Sequence, residues 1–235
     1  MSLIKKIFPR KFKFLLKRLF GISPGKVNMR LVTVKFGNSN YGAWSIYPKG
    51  LTENSIIYSF GIGEDINFEL SLFKKYGCKI YCFDPTPKSI NYIKNQNLPT
   101  EILFYKYGIS NKDGLEKFYM PLNEKNVSHS LVHKGEVKFI EVEMKRLKTI
   151  MNQNNHMGID ILKMDIEGAE YFVLEDILRE KLNVKQILLE FHHFLPGISL
   201  KNTRNTIKML KTAGYALFHV SMSGYDYSFF NTISN

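Results

Sequence analysis

The sequence predicts an α/β domain of the doubly wound kind, a mostly parallel sheet covered on both faces and closed at one edge by a C-terminal antiparallel hairpin. Three observations predict it. From residue 56 onward, short apolar runs alternate with stretches of helical period. The connections between successive runs are long enough to hold a crossover helix, as parallel neighbours require. The last two apolar runs, "YALFHVS" and "YDYSFFN", are joined only by "MSG", which suits a hairpin and is too short for a crossover.

The elements follow in order. "MRLVTVKF" has strand character, and "GNSNYGAWSIYPKG" is a loop or hairpin leading in, so residues 23–55 form a lead-in to a domain spanning 56–235. "IIYSF" (56–60) is a buried strand ended by glycine, and Ile66, Leu70 and Phe73 then keep helical spacing up to Gly77, a C-terminal αL position. "KIYCF" (79–83) is the second strand, "PKSINYIKNQ" a helix with Pro in its first turn, and "EILFYKYGI" (101–109) the third strand. "GLEKFYMPL" and "EVKFIEVEM" read as strands or a hairpin around the polar loop "NEKNVSHSLVHKG", where Ser128, His129 and Ser130 are candidates for a lid. A helix near "RLKTIMNQ", a strand "IDILKM" (159–164), a helix in 168–180, a strand "VKQILLE" (184–190) and a helix in 200–214 complete five parallel strands before the hairpin.

Composition bounds the function. The 235 residues, 44% hydrophobic, are enough for one sizeable core. The net charge of +12 is unevenly placed: residues 1–50 hold eleven Lys or Arg and no acid, leaving 22 basic and 21 acidic residues for the rest. A nearly neutral body argues against a nucleic-acid groove across the domain. Cys78 and Cys82 lie about 13 Å apart along one strand at about 3.3 Å per residue, too far for a disulfide, which suits reduced thiols and a cytoplasmic setting. No run reaches the roughly 18 apolar residues of a bilayer span, and the N-terminus lacks a signal-peptide cleavage pattern.

The stretch "SFGIGEDINFEL" (59–70) sets the ligand. Gly61 and Gly63 make a strand-to-helix turn of the kind that brings a nucleotide close to the backbone, but the third glycine of a dinucleotide fingerprint is replaced by Ile66. Glu64 and Asp65 put two negative charges where a phosphate would sit. No Walker loop follows. A cationic, phosphate-free nucleoside, S-adenosylmethionine, fits these acids. Asp84, 23 residues after Gly61 at the end of the second strand, is placed to accept the ribose hydroxyls.

"FDPTP" and "LKMDIEGAE", with "EFHH" further on, resemble the FkbM-type family of S-adenosylmethionine-dependent methyltransferases, in particular a branch carrying G-x-G-x-D-x-x-F-(D/E) and F-D-P-T-P. The resemblance covers roughly residues 40–220 and is most specific at "KMDIEGAE". It implies a class I Rossmann-like fold and O-methylation of a hydroxyl on a sugar, glycan or small metabolite. Many class I enzymes carry an acid two residues before the first glycine, where this chain has Ser59, so Glu64 or Asp65 is the candidate for the methionine ammonium.

Such chemistry needs a group to take the hydroxyl proton, a general base or a divalent metal, at the carboxyl ends of the strands. Asp165 follows the fourth strand, with Glu167 beyond it; Glu190 ends the fifth, followed by His192 and His193. Strands about 4.8 Å apart let Asp165 and Glu190 face one cleft. His192 is then a base oriented by Asp165 or Glu190, or the same acids hold a metal ion. The bland alternative is that Asp165 and Glu167 only cap the next helix. Tyr41 and Trp44 either flank the ligand or pack on the sheet. Residues 1–22 form a basic amphipathic arm, with Leu3, Ile4, Ile7, Phe8, Phe12, Leu15, Leu16 and Leu19 interleaved with seven Lys or Arg, which suits peripheral contact with the anionic inner face of a membrane or docking on protein. A catalytically inactive membrane-surface adaptor and an RNA methyltransferase are the competing functions; the neutral body and the absence of an N-P-P-Y-type motif count against the second.

Overall fold

The structure is a computed structural model that describes residues 25–38, 42–119 and 139–233; the amphipathic arm, Tyr41 and the polar loop with Ser128, His129 and Ser130 lie outside the described residues. Strands β1 (Val34–Phe36) and β2 (Trp44–Ile46) pair antiparallel ahead of the main sheet. Then come β3 (Ile56–Phe60), α1 (Asn67–Tyr76), β4 (Lys79–Phe83), α2 (Pro87–Lys94) and β5 (Ile102–Tyr105). A small sheet of β6 (Gly108–Ile109), β7 (Gly114–Tyr119) and β8 (Phe139–Lys145) interrupts the alternation. It resumes with α3 (Leu147–Gln153), β9 (Ile159–Met164), α4 (Glu170–Arg179), β10 (Val184–Glu190) and α5 (Leu200–Thr212), and ends in β11 (Tyr215–Val220) and β12 (Asp226–Asn231).

Seven of these strands form one sheet in the order β11-β12-β10-β9-β3-β4-β5. The five from β10 to β5 run parallel, and β12 pairs antiparallel with both β10 and β11. The sheet order reverses between β3 and β9, so the carboxyl ends of these strands border the crevice in which doubly wound sheets bind ligands. Alternation along the strands makes two cores. Tyr58, Phe60, Phe83, Leu162 and Ile187 belong to one; Ile57, Ile80, Cys82, Ile161 and Leu188 belong to the other, which the β1–β2 hairpin covers with Phe36, Trp44 and Ile46. Trp44 is buried against the sheet face.

Two local expectations change. The run 101–109 is two strands, because the chain leaves the large sheet after Tyr105, whose carbonyl accepts the Asp84 N–H, and Gly108 and Ile109 pair with β8 instead. The helix expected from Gly168 begins at Glu170, since Glu167 and Gly168 both take left-handed φ values (51° and 102°) and form a turn. Gly77 does end α1 in the αL conformation, with its N–H on the Phe73 carbonyl. Among the described residues no helix is long and apolar enough to cross a membrane.

Candidate active site

The glycine turn is built from beneath. Gly61 has φ +77°, and a Cβ there would lie 1.8 Å from the Asp165 carbonyl oxygen, so the turn after β3 rests directly on the turn after β9. Gly63 also has positive φ, yet a Cβ on it would meet nothing within 4 Å, which leaves that side of the turn open. Asp84 is buried behind the turn. Its Oδ2 accepts the Gly63 N–H at 2.9 Å, and its Oδ1 accepts the Thr86 N–H at 2.9 Å and the Thr86 hydroxyl at 2.6 Å. A carboxylate has about four acceptor positions, so Asp84 keeps capacity for about one ribose hydroxyl rather than two. Its other task is to hold the turn.

Glu64 is exposed, and Asp65 Oδ1 accepts the Asn67 N–H at 2.9 Å in a local turn just ahead of α1. A buried acid lies elsewhere. Glu69 of α1, 1% exposed, accepts the Ser59 hydroxyl at 2.5 Å, so the carboxylate missing at position 59 is supplied in space from the helix. Lys163, opposite Ser59 in the β3–β9 register and 5% exposed, donates from Nζ to the Gly61 carbonyl at 2.8 Å and lies 5.8 Å from the Trp44 ring. Neither Glu69 nor Lys163 stood out in the sequence. Both lie on the Cys82 face of the sheet, and burial raises that thiol well above its ordinary value.

The acidic side of the site lies one strand over. Leu189 pairs with Met164, so the next residues, Glu190 and Asp165, come side by side at the strand ends. His192 follows, 2% exposed. Its Nδ1 is 2.8 Å from Glu170 Oε1, and its Nε2 is 3.5 Å from Asp165 Oδ1 and 3.4 Å from Glu167 Oε2. The orienting residue is therefore Glu170, in place of the expected Asp165 or Glu190. Glu170 Oε1 also accepts the Ile166 and Gly168 N–H groups at 3.2 Å, so it caps the turn that Asp165 was the bland candidate to cap. The signal was available in the helical spacing of "GAEYFVL", but a buried glutamate in a helix's first turn reads as an ordinary capping acid.

The charges on these groups follow from crowding. Burial, then the Asp165 and Asp226 carboxyls, push Glu190 up to about 8. Burial also raises Asp165, against the pull of Lys163 and His192. For His192, burial opposes the charge, but the Glu170 hydrogen bond and the surrounding acids outweigh it and lift it to about 10. An imidazole so placed carries its proton at neutral pH, which suits an orienting role better than that of the base expected from sequence. His193 is partly buried, near Thr203 and the Tyr225 ring.

A parallel sheet with this strand order, a glycine turn after its first parallel strand and an acid after its second is the layout of a class I methyltransferase. The chain belongs to the FkbM methyltransferase family: residues 56–217 match the family described as "Methyltransferase FkbM domain". It is also similar to a human protein named "Probable methyltransferase-like protein 24", 28% identical over 174 residues, 69% of this chain and 42% of that one. The Rattus norvegicus protein of the same name is 26% identical over 179 residues, 72% of this chain and 43% of the relative. The chain thus spans less than half the length of these curated relatives. Solved structures of similar shape include a fibrillarin pre-rRNA processing protein of Methanococcus jannaschii (TM-score 0.47, 9% identity, 77% of this chain and 67% of that one). Another is an Aeropyrum pernix fibrillarin in complex with natively bound S-adenosyl-L-methionine (TM-score 0.41, 10% identity, 76% and 66%).

S-adenosylmethionine is the methyl donor the family implies, and the residues present fit it. The open side of Gly63 gives room for a nucleoside against the backbone, Asp84 retains acceptor capacity, and no phosphate site competes at Glu64 and Asp65.

Proposed function

We propose that this domain methylates a hydroxyl oxygen of a sugar, glycan or small metabolite. The observation that carries the reading is the contact between the two halves of the site: the Asp165 carbonyl lies against Gly61, so the donor's turn and the carboxylates of Asp165 and Glu190 share one crevice. When bound, the donor supplies an electrophilic methyl group on a sulfonium. Glu69 and Ser59 offer a buried negative partner beneath the turn, Asp84 a ribose contact, and Lys163 fixes the Gly61 carbonyl. The acids at the ends of β9 and β10 supply what a hydroxyl acceptor needs, a place for its proton, and His192 is held among them by Glu170.

The nearly neutral body favours a small or glycan acceptor over nucleic acid. Mass spectrometry of glycans and metabolites from cells with and without the gene should show an acceptor lacking one O-linked methyl group. With that acceptor in hand, Asp165→Asn should lower turnover by roughly 10²–10⁴ with donor affinity retained. A methyl group found on nitrogen, or wild-type turnover in Asp165→Asn, would overturn the reading.

A further inference from the structure

We propose that Asp165, Glu190 and His192 form a binding site for one divalent cation of the Mn²⁺ or Mg²⁺ kind. One ligand atom from each of the three lies within 4.8 Å of the other two. Metal–ligand bonds of about 2.1–2.5 Å span donors up to about 4–5 Å apart, so small side-chain rotations close the set around an ion. Two carboxylates with one imidazole and no thiol match oxygen-preferring ions.

The cluster is more than a gathering of acids. His192 is almost fully buried, and Glu170 holds its Nδ1, which fixes the ring and turns Nε2 toward the carboxylates. This carboxylate–histidine arrangement is the usual support behind a metal-bound imidazole. Nε2 comes no closer than 3.4 Å to an oxygen of Asp165 or Glu167, and neither the Asp165 nor the Glu190 carboxylate accepts a hydrogen bond from a described residue. A buried imidazole nitrogen that faces two half-buried carboxylates, none of them within hydrogen-bond distance, is costly unless something binds it. More negative charge stands around them: Glu167 is within reach of Nε2, Glu170 Oε2 is buried without a partner, and Asp226 pairs in register with Glu190 from β12. Lys163, the lysine whose charge acts on Asp165, has its ammonium hydrogen-bonded to the Gly61 carbonyl.

A cation at this point takes the place of a proton on Nε2 and releases that proton to water. Such an ion would make an acceptor hydroxyl that binds to it lose its proton to water more readily. That catalytic role rests on the methylation reading; the binding of the ion does not.

The test therefore measures the ion without turnover. The full chain, freed of metal with EDTA and dialysed, is titrated with Mn²⁺ while the free-ion electron paramagnetic resonance signal is followed, and its melting temperature is read with and without Mn²⁺. Donor affinity is measured separately by calorimetry in EDTA. One bound Mn²⁺ per chain and a raised melting temperature are expected. Glu190→Gln, which keeps the shape of the side chain, should weaken Mn²⁺ at least tenfold, and Glu170→Gln should weaken it about 10–100-fold through His192. His192→Ala should abolish binding, with Glu190→Gln as the safeguard should that variant unfold. Wild-type Mn²⁺ affinity in a folded Glu190→Gln, or no binding to the wild type, overturns the site. Donor binding without Mn²⁺ binding leaves methylation standing and removes the ion; Mn²⁺ binding without donor binding does the reverse.

Discussion

Replacing Gly61 and Gly63 one at a time by alanine separates the two jobs of the glycine turn. At Gly61 the new methyl would lie 1.8 Å from the Asp165 carbonyl oxygen, and the obstacle is backbone that belongs to a neighbouring strand end. A left-handed alanine costs about 1–2 kcal/mol, and forced overpacking adds about 1–3 kcal/mol, so the loss should be about 2–5 kcal/mol. At Gly63 the same left-handed cost applies, but nothing lies within 4 Å, so the loss should stay near 1–2 kcal/mol. At about 2–4 °C per kcal/mol for a chain of this size, Gly61→Ala should melt roughly 4–20 °C below wild type and Gly63→Ala roughly 2–8 °C below. The order reverses for the ligand. The Gly63 methyl projects into the open side of the turn, so Gly63→Ala should lose S-adenosylmethionine affinity out of proportion to its stability. Differential scanning calorimetry and titration calorimetry on both variants decide it. Equal melting temperatures would refute the packing argument, and unchanged donor affinity in Gly63→Ala would show that the donor does not approach this turn.

Four further outcomes can be measured, three of them read from the geometry and one from the sequence of the N-terminal arm. Asp84→Ala should weaken the donor at least tenfold in calorimetry and also cost about 1–3 kcal/mol of stability, because the Gly63 and Thr86 N–H groups lose their acceptor; equal donor affinity would remove Asp84 from the site. Arg146 joins the buried Asp176 to Glu180 through its guanidinium, so Arg146→Ala should lower stability by about 2–3 kcal/mol in urea unfolding, since Asp176 keeps only the exposed Arg179. Lys148 and Arg146 hold Glu180 down at about 2, below its ordinary 4.5, so what it contributes is fully present above pH 4.5 and fades as the pH falls toward 2; Glu180→Gln should flatten that part of the acid unfolding curve. For the N-terminal arm, flotation with anionic vesicles should show salt-sensitive binding that disappears on deleting residues 1–22, and binding that survives deletion would refute a membrane role for it.

The fold was legible because its cues are local. Apolar runs of five to seven residues, Gly77 at a helix end and the three-residue "MSG" connection each fix one step of the topology, and the chain obeys them from β3 to β12. The two misread boundaries have one cause. At Lys106 and at Glu167 the backbone departs from a periodic run where a particular hydrogen bond takes over: the distant Asp84 N–H takes the Tyr105 carbonyl, and the nearby Glu170 side chain gathers the Ile166 and Gly168 N–H groups. Periodicity carries no trace of either contact.

The site divides in the same way. Gly61, Gly63, Asp84, Asp165 and Glu190 occupy the carboxyl ends of strands, so knowing the strands was enough to bring them to one crevice. Glu69, Lys163 and Glu170 act from positions that sequence marks as ordinary: two first-turn helix acids and a strand lysine flanked by apolar residues. Their importance comes from burial, which no local pattern reveals. A lysine 5% exposed must spend its charge on something, and the Gly61 carbonyl 2.8 Å away ties it to the turn. A glutamate with no exposed surface must likewise be satisfied, and His192 with two backbone N–H groups does that on one oxygen only. The unsatisfied atoms of a buried polar network show where a ligand is still wanted, and Glu170 Oε2 is such an atom, on the side chain that holds the His192 imidazole toward Asp165 and Glu190.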